Sequence, residues 1–312
     1  MTIAFVHSNK AFLPSLHAYM EFFQSHNVKC EKVLPEQLGL VRRQVEWYFM
    51  GTDLSKPKEG ILKIHEYTST SAPPFRRTKD FFKSFFNSQP DLRIFQNKFV
   101  KTSFNFLDKI PHCYRDVGAP AEWMTEKITD PVKEYDFIYT GELSERRKPE
   151  TFIDCFTRPD LQTHSLLLLG KDYEHLREKY GQYQNIIFKG PVDKSEVRNY
   201  ILRSRFGINY IPDQKPFSHL SSTKFLEYAA CNIPIVTTNY EWIKRFKAEF
   251  GGAYFSLLPD LSNFTWANVT NCQYINPDIS GWTWNNQIRR SGVLEFLQQK
   301  FPDLVFNQED RG

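Results

Sequence analysis

The chain has 312 residues, enough for about two domains that each bury a core of their own. Hydrophobic residues make up 41% and aromatic residues 16% of the sequence, which excludes a disordered chain. The longest strongly apolar run, residues 166–169, is too short for a membrane-spanning helix. The net charge is only +4, but residues 56–115 hold twelve Lys and Arg against five Asp and Glu. This excess predicts that one part of the molecule faces an anionic surface or ligand.

Strand and helix patterns alternate along the first half of the chain. Short β-rich runs predict strands at residues 3–7, 28–34, 47–50, 61–65 and 92–95. Helical spacing of apolar residues predicts a helix after the first strand and another over residues 79–87. We therefore expect residues 1–130 to form a parallel α/β domain.

The alternation is clearer in the second half. Strands are predicted at residues 135–139, 165–169, 186–189, 206–211 and 235–237. Helices are predicted between them, at residues 149–156, 173–180, 194–204 and 223–231. Such strands need crossover connections and hence a parallel sheet, so residues 131–285 are expected to form a second α/β domain. A last helix is predicted over residues 287–301.

The five cysteines and the N-terminal residues indicate the cellular compartment to expect. The cysteines are odd in number, scattered and without a Cys-x-x-Cys pair, which is typical of reduced thiols and not of a disulfide framework or a zinc site. No basic segment leading into an apolar one opens the sequence, so we expect no export signal and a cytoplasmic protein.

The sequence lacks the motifs of several kinds of active site. The sequence has no Gly-x-Gly-x-x-Gly, no P-loop, no Asp-x-Asp metal clamp and no His-Glu-x-x-His. These absences argue against a P-loop NTPase and against a metal centre.

An anion-binding turn is predicted where the first strand of the second domain meets its first helix. Gly141 and Ser144 provide a small-residue turn there, and Arg147 or Lys148 could clamp a diphosphate. The alternative is a solvated basic helix start after a strand-end glycine. Two later strands also end in glycine, at Gly170 and Gly190, on the edge where open α/β sheets bind ligands.

The most informative segment is residues 219–237. Ser222 and Thr223 suit a helix N-cap, and Lys224 and Glu227 lie one turn apart on one helix face. Without further context, this pair could equally be a solvated ion pair.

The run from Ser222 to Thr238 resembles the signature of GT-B fold glycosyltransferases and is most similar to glycosyltransferase family 4. The resemblance extends in order over residues 135–246, through four further elements: Gly141, Gly170, Phe188-Lys-Gly190 and Tyr210-Ile-Pro212. It implies an α/β fold of two Rossmann-like parallel-sheet domains facing a cleft. Residues 1–130 would bind the acceptor, residues 131–285 the nucleotide sugar, and the helix of residues 286–312 would return to the first domain.

The resemblance also implies residue roles. Glu227 would accept hydrogen bonds from the ribose hydroxyls, while Arg147 and Lys224 would hold the donor diphosphate. The backbone from Gly190 to Val192 would meet the base, and Ser221, Ser222 and Thr223 would cap the phosphates. His65, at the end of a predicted strand in the first domain, resembles the family's histidine near the reacting sugar.

Two positions depart from the family pattern. Glu142 follows Gly141 where the family often has arginine, and His219 stands where the first of two glutamates is usual. These departures keep two alternatives open: a nucleotide-sugar-binding subunit that has lost catalysis, and a GT-B sugar-nucleotide epimerase.

The expected function is therefore transfer of a sugar from a nucleotide-diphosphate sugar to a glycan or lipid-linked acceptor in polysaccharide biosynthesis. By resemblance the reaction retains the anomeric configuration. The absent metal clamp predicts that it needs no metal and no cofactor. No nucleic-acid partner is expected.

Residues 76–86 have two interpretations. Phe81, Phe82, Phe85 and Phe86 share one helical face, and the flanking cations are Arg76, Arg77, Lys79 and Lys83. Such a helix could lie on an anionic membrane, which would place the protein at the inner face of the membrane, or it could turn its phenylalanines into the core. We favour the core-facing helix.

Overall fold

The computed structural model describes residues 1–8, 13–71, 74–125 and 131–306. The chain divides into two compact units, Met1–Gly118 with Trp284–Gly312, and Ala119–Thr283. The units divide between Gly118 and Ala119 and between Thr283 and Trp284, where the sequence predicts boundaries at residues 130 and 285. Residue 130 itself lies outside the described residues.

The first unit is built on a parallel sheet. Its strands are β1 (Thr2–Val6), β2 (Lys29–Val33), β3 (Val45–Phe49), β4 (Leu62–Tyr67), β5 (Leu92–Phe95) and β6 (His112–Tyr114). Its helices before residue 118 are α1 (Pro14–Ser25), α2 (Arg76–Phe86) and α3 (Lys98–Phe104), with a 3-10 turn at Pro35–Leu40. In the described chain the sheet has six strands, in the order β2-β1-β3-β4-β5-β6. The main core lies between this sheet and α1, around Phe5, Tyr19 and Trp47.

The second unit holds another parallel sheet of six strands, counted over the described residues. Its strands are β7 (Tyr135–Thr140), β8 (Leu166–Leu169), β9 (Ile186–Phe188), β10 (Ser204–Asn209), β11 (Ile235–Thr238) and β12 (Phe255–Leu257). Its helices are α4 (Glu122–Thr125), α5 (Glu150–Ile153), α6 (Glu174–Tyr180), α7 (Lys194–Leu202), α8 (Thr223–Ala230), α9 (Glu241–Phe250) and α10 (Trp266–Thr270). Short 3-10 turns occupy Glu145–Arg147, Asp154–Thr157, Phe217–His219 and Ser280–Trp282.

The strand order β12-β11-β10-β7-β8-β9 fixes where this unit can bind a ligand. It is the Rossmann order, in which the chain winds in opposite directions from β7 outward. The winding reverses between β7 and β10, and ligands of open α/β sheets bind outside the carboxyl ends of the strands at that point. The strands are buried on both faces: all four leucines of β8 are in the core.

Two terminal helices, α11 (Trp284–Arg289) and α12 (Val293–Lys300), belong to the first unit. Trp284, Ile288 and Leu297 lie in the same core cluster as Phe5 and Trp47. The single helix predicted over residues 287–301 is divided, because Gly292 adopts a left-handed φ of +84° directly before α12.

The core-facing interpretation of α2 is wrong. Phe81, Phe82, Phe85 and Phe86 are all exposed, while Asp80 on the opposite face is fully buried. The helix therefore exposes its apolar side. No helix in the described part of the chain is long and apolar enough to cross a membrane.

Candidate functional site

Three glycines end three adjacent strands of the second unit. Gly141 follows β7, Gly170 follows β8, and Gly190 lies just after β9. The Gly141 N–H donates to the carbonyl of Leu169 at 2.9 Å, and the Gly170 N–H donates to the carbonyl of Gly190 at 3.1 Å. A Cβ atom at Gly170 would lie 1.7 Å from the carbonyl oxygen of Gly141, so only glycine fits. The structure thus brings Gly141 and Gly190 to one sheet edge.

Lys224 lies over this edge. It is in the first turn of α8, and its Nζ is 3.6 Å from the centroid of the buried Tyr139 ring at the end of β7. A Cβ atom at Gly141, where φ is +112°, would lie 3.8 Å from Cε of Lys224. Desolvation, and then the charge of Arg147, lower the pKa of Lys224 well below its ordinary value. The Lys224 amine is therefore held at the carboxyl end of β7, close to the Arg147 guanidinium.

Arg147 is held from two sides. Its guanidinium carbon lies 4.1 Å from the centroid of the Phe217 ring, and its Nε lies 3.5 Å from a carboxylate oxygen of Glu142. Arg146 binds the same carboxylate at 2.6 Å, and the hydroxyl of Ser144 donates to it at 2.6 Å. Burial would raise the pKa of Glu142, but the hydrogen bonds from Ser144 and Arg146 outweigh it and lower that pKa. Glu142 therefore stabilises the turn of residues 142–147 and forms ion pairs with both of its arginines.

Glu227 lies one turn after Lys224 on α8 and is half-buried. Desolvation raises its pKa to about 7, although the charges of Lys194 and Lys224 oppose the rise. Lys194 is the first residue of α7, and sequence analysis missed it. The signal available was its position directly after the Gly190-to-Val192 turn, at a predicted helix start.

Ser222 stabilises the start of α8. It is buried, its Oγ accepts the N–H of Phe225 at 3.3 Å as the N-cap of α8, and it donates to Oδ1 of Asn209 at 2.7 Å. The hydroxyl thus already donates one hydrogen bond and accepts another within the fold. This placement does not support the predicted phosphate contact. Thr223 is half-buried at the first position of α8, and Val192 is half-buried in the loop between β9 and α7.

A buried hydroxyl network fixes α8 against the sheet at the winding reversal. The backbone N–H of Thr140 at the end of β7 donates to the Tyr228 hydroxyl at 3.0 Å. A Cβ atom at Gly207 on β10 would lie only 2.5 Å from the Tyr228 ring. Because glycine has no Cβ atom, α8 can pack closely against the sheet here. Sequence analysis did not single out Tyr228, because a tyrosine inside an amphipathic helix resembles any other core residue.

His65 is placed in the interior of the first unit. It is fully buried, and its Nε2 lies 3.0 Å from Oδ2 of Asp53, which also binds Nζ of Lys63 at 3.0 Å. Burial lowers the pKa of His65 despite the Asp53 carboxylate. A fully buried side chain does not contact a substrate, so this placement does not support the predicted catalytic role. Among the described residues, no three His, Cys, Asp or Glu side chains come together as a metal site.

Comparisons with known proteins identify the fold. No protein-family model and no curated protein matches the chain. Among solved structures, AviGT4, a glycosyltransferase involved in avilamycin A biosynthesis, aligns with a TM-score of 0.59 at 11% identity, covering 97% of this chain and 98% of its own. Anabaena Alr3699/HepE in complex with UDP-glucose aligns with a TM-score of 0.60 at 12% identity, covering 96% and 98%. The lipopolysaccharide outer core galactosyltransferase WaaB aligns with a TM-score of 0.54 at 12% identity, covering 97% and 100%.

These similarities extend over nearly the whole chain, and the fold is that of the GT-B glycosyltransferases, as predicted. The two α/β units, each with a parallel sheet, are the predicted fold class. The narrower similarity to glycosyltransferase family 4 stays a prediction.

Proposed function

We propose that this protein is a glycosyltransferase that moves a sugar from a nucleotide-diphosphate sugar to a glycan or lipid-linked acceptor. The observation that carries the proposal is the position of Lys224, held at the carboxyl end of β7 against Tyr139 and Gly141, at the winding reversal of a Rossmann sheet. A GT-B neighbour, HepE, has been solved with UDP-glucose, which supports a nucleotide sugar as the donor.

The donor roles follow from charge and position. Lys224 and Arg147 would neutralise the diphosphate, and backbone N–H groups near Gly141 would add hydrogen bonds. Glu227 would accept hydrogen bonds from the ribose hydroxyls, and the turn from Gly190 to Val192 would meet the base. Lys194, whose charge acts on Glu227, would border the same site.

Catalysis would rest on fixed cations. The leaving diphosphate gains charge in the transition state, and cations in a partly buried site stabilise that charge more strongly than cations in water. Lys224 and Arg147 are such cations, so we propose a reaction that needs neither metal nor cofactor. In line with the family resemblance, we propose retention of configuration and name no nucleophile.

One observation favours a second candidate, a nucleotide-sugar-binding subunit without catalysis. The carboxylate of Glu142 binds Arg146 and Arg147, and Arg147 is one of the two cations that a transferase would direct to the phosphates. If Glu142 stays ion-paired with Arg147 in the complex, the donor binds but the charge on its leaving diphosphate is poorly stabilised.

The acceptor completes the proposal. A glycan or lipid-linked glycan fits a role in polysaccharide biosynthesis in the cytoplasm. Contact of residues 76–86 with the inner face of the membrane would bring a lipid-linked acceptor to the enzyme.

Titration of the protein with UDP, GDP, ADP and CMP sugars tests the proposal. Binding is measured by calorimetry and turnover by release of free nucleotide. Binding with slow hydrolysis supports a transferase, and binding alone supports the subunit. Conversion of the sugar without nucleotide release indicates an epimerase. Turnover that survives excess EDTA supports metal independence, and turnover lost to EDTA and restored by Mn²⁺ contradicts it.

A further inference from the structure

Helix α2 exposes a continuous aromatic face. Phe81, Phe82, Phe85 and Phe86 are 63, 52, 73 and 56% exposed, and Phe75, directly before the helix, is 77% exposed. The rings contact one another: Phe81 stacks on Phe85, and Phe82 stacks on Phe86. Among the described residues, these five are all of the exposed phenylalanines. Soluble proteins rarely leave such a patch without a partner surface.

The opposite face of α2 is polar and is the one turned inward. Oδ1 of the fully buried Asp80 accepts the backbone N–H of Ser71 at 2.8 Å, and its other oxygen lies 3.7 Å from Arg76. Just after the helix, Asn87 accepts the backbone N–H of Asp53 at 3.0 Å. Rotating α2 to bury its phenylalanines would break these contacts. The outward aromatic face is therefore fixed by the packing of the polar face.

Cations border the aromatic face. At about 100° per residue, Arg77 and Lys79 fall on the two sides of the phenylalanine arc, and both are exposed. Lys98, the first residue of the neighbouring α3, is also exposed. Two other cations of residues 56–115 do not reach the surface, because Lys63 and Arg93 are buried in ion pairs with Asp53 and Asp108. Arg77, Lys79 and Lys98 therefore provide exposed positive charge beside the aromatic face of α2.

We propose that α2, together with Phe75, docks the protein on an anionic lipid bilayer. An interfacial helix buries its apolar face about 5–10 Å into the boundary between headgroups and acyl chains, while flanking Arg and Lys reach the headgroup phosphates. The aromatic arc between Arg77 and Lys79 has this arrangement. A symmetric contact with a second copy of the chain would oppose the same cations to each other, which disfavours that occupant.

Cosedimentation with vesicles tests the proposal on the full chain. The expected result is binding to vesicles of phosphatidylcholine with phosphatidylglycerol, weak binding to phosphatidylcholine alone, and loss of binding at raised salt. Removing both cations, in Arg77→Ala/Lys79→Ala, should lower the partition coefficient about 30-fold, the equivalent of about 1 kcal/mol per cation. Phe81→Ser/Phe85→Ser should abolish measurable binding.

Matched controls separate docking from general effects. Leu107→Ser changes another exposed apolar residue of the first unit, and Lys244→Ala changes an exposed lysine of the second, so both should bind as wild type does. Circular dichroism verifies that every variant is folded. Hydrogen exchange gives the local readout, because the amides of α2 should exchange more slowly when anionic vesicles are present.

Two results would overturn the proposal. One is failure of the folded wild type to bind anionic vesicles at low salt. The other is a dimer in light scattering that Phe81→Ser/Phe85→Ser converts to a monomer, without any vesicle binding, which assigns the face to a second copy. The proposal does not rest on the proposed enzymatic function: a protein that binds vesicles but no nucleotide sugar contradicts only the latter.

Discussion

The Nζ of Lys224 lies 3.6 Å from the centroid of the Tyr139 ring, which places a lysine from the start of α8 against the last residues of β7. Desolvation and the neighbouring Arg147 both lower the pKa of this lysine. Binding an anion beside it would offset both effects, because the anion favours the charged form. This is the position that the proposed function assigns to the diphosphate of the donor.

Lys224→Met should therefore weaken nucleotide binding. Loss of a charge-assisted contact with phosphate costs about 1.5–3 kcal/mol, which is at least a tenfold loss of affinity. Calorimetry with the nucleotide that binds the wild type measures the effect. Lys244→Met, on the exposed face of α9, is the control and should bind normally. Unchanged affinity in Lys224→Met would place the diphosphate elsewhere.

Glu142→Gln should have the opposite effect. The carboxylate is partly exposed and occupies Arg146 and Arg147, and such ion pairs contribute about 0.2–1 kcal/mol. Removing its charge frees both cations, so nucleotide affinity should rise by up to about fivefold. The matched change Glu145→Gln, in the same turn but exposed, should leave affinity unchanged. Weaker binding in Glu142→Gln would show that Glu142 orients the arginines for the ligand.

Glu227 should make stability depend on pH in an identifiable way. Burial raises its pKa from 4.5 to about 7, so the folded protein holds this proton more tightly than the unfolded chain. Through this group, the free energy of unfolding falls as the pH rises from about 4.5 to about 7. Glu227→Gln should then be more stable than wild type above about pH 7, by up to about 3 kcal/mol, and equally stable below about pH 4. Denaturant unfolding across this range measures the difference, and a difference that does not vary with pH contradicts the prediction.

Gly170→Ala should damage the second unit. The added Cβ would lie 1.7 Å from the carbonyl oxygen of Gly141, a backbone atom that cannot move aside without disturbing β7. We expect a loss of about 3 kcal/mol or more in the free energy of unfolding. Gly39→Ala, where no atom lies within 4 Å of the new methyl group, should change it by no more than about 1 kcal/mol. Similar melting temperatures for the two variants would show that the strand ends are further apart than described.

The second unit was predictable from sequence because its signals are local. Alternating strands and helices gave its order, and Gly141, Gly170 and Gly190 end three strands at one sheet edge, where the sequence placed them. The three-residue strands β6 (His-Cys-Tyr) and β12 (Phe-Ser-Leu) were missed because neither is a continuous apolar run, whereas the equally short β9 (Ile-Ile-Phe) is one and was predicted.

The first unit was harder because its decisive contacts are not local. Periodicity put the phenylalanines of α2 on one face, but it could not tell which face meets the sheet, and the buried Asp80 decides that. The alternating pattern of β4 does not show whether the side chain of His65 is buried or exposed. Its burial depends on Asp53 and Lys63, whose pairing no spacing rule predicts.

The central claim is that the carboxyl edge of β7 and α8 bind the nucleotide of a sugar donor, and one titration tests it most directly. Wild type, Glu227→Ala and the exposed-helix control Glu178→Ala are titrated by calorimetry with the nucleotide sugars of the panel. We predict that the wild type and Glu178→Ala bind one of them with equal affinity. Glu227→Ala should bind it at least about tenfold more weakly, because a charged acceptor of two ribose hydroxyls is lost. Equal affinity in all three proteins, or no binding by the wild type, would contradict the account.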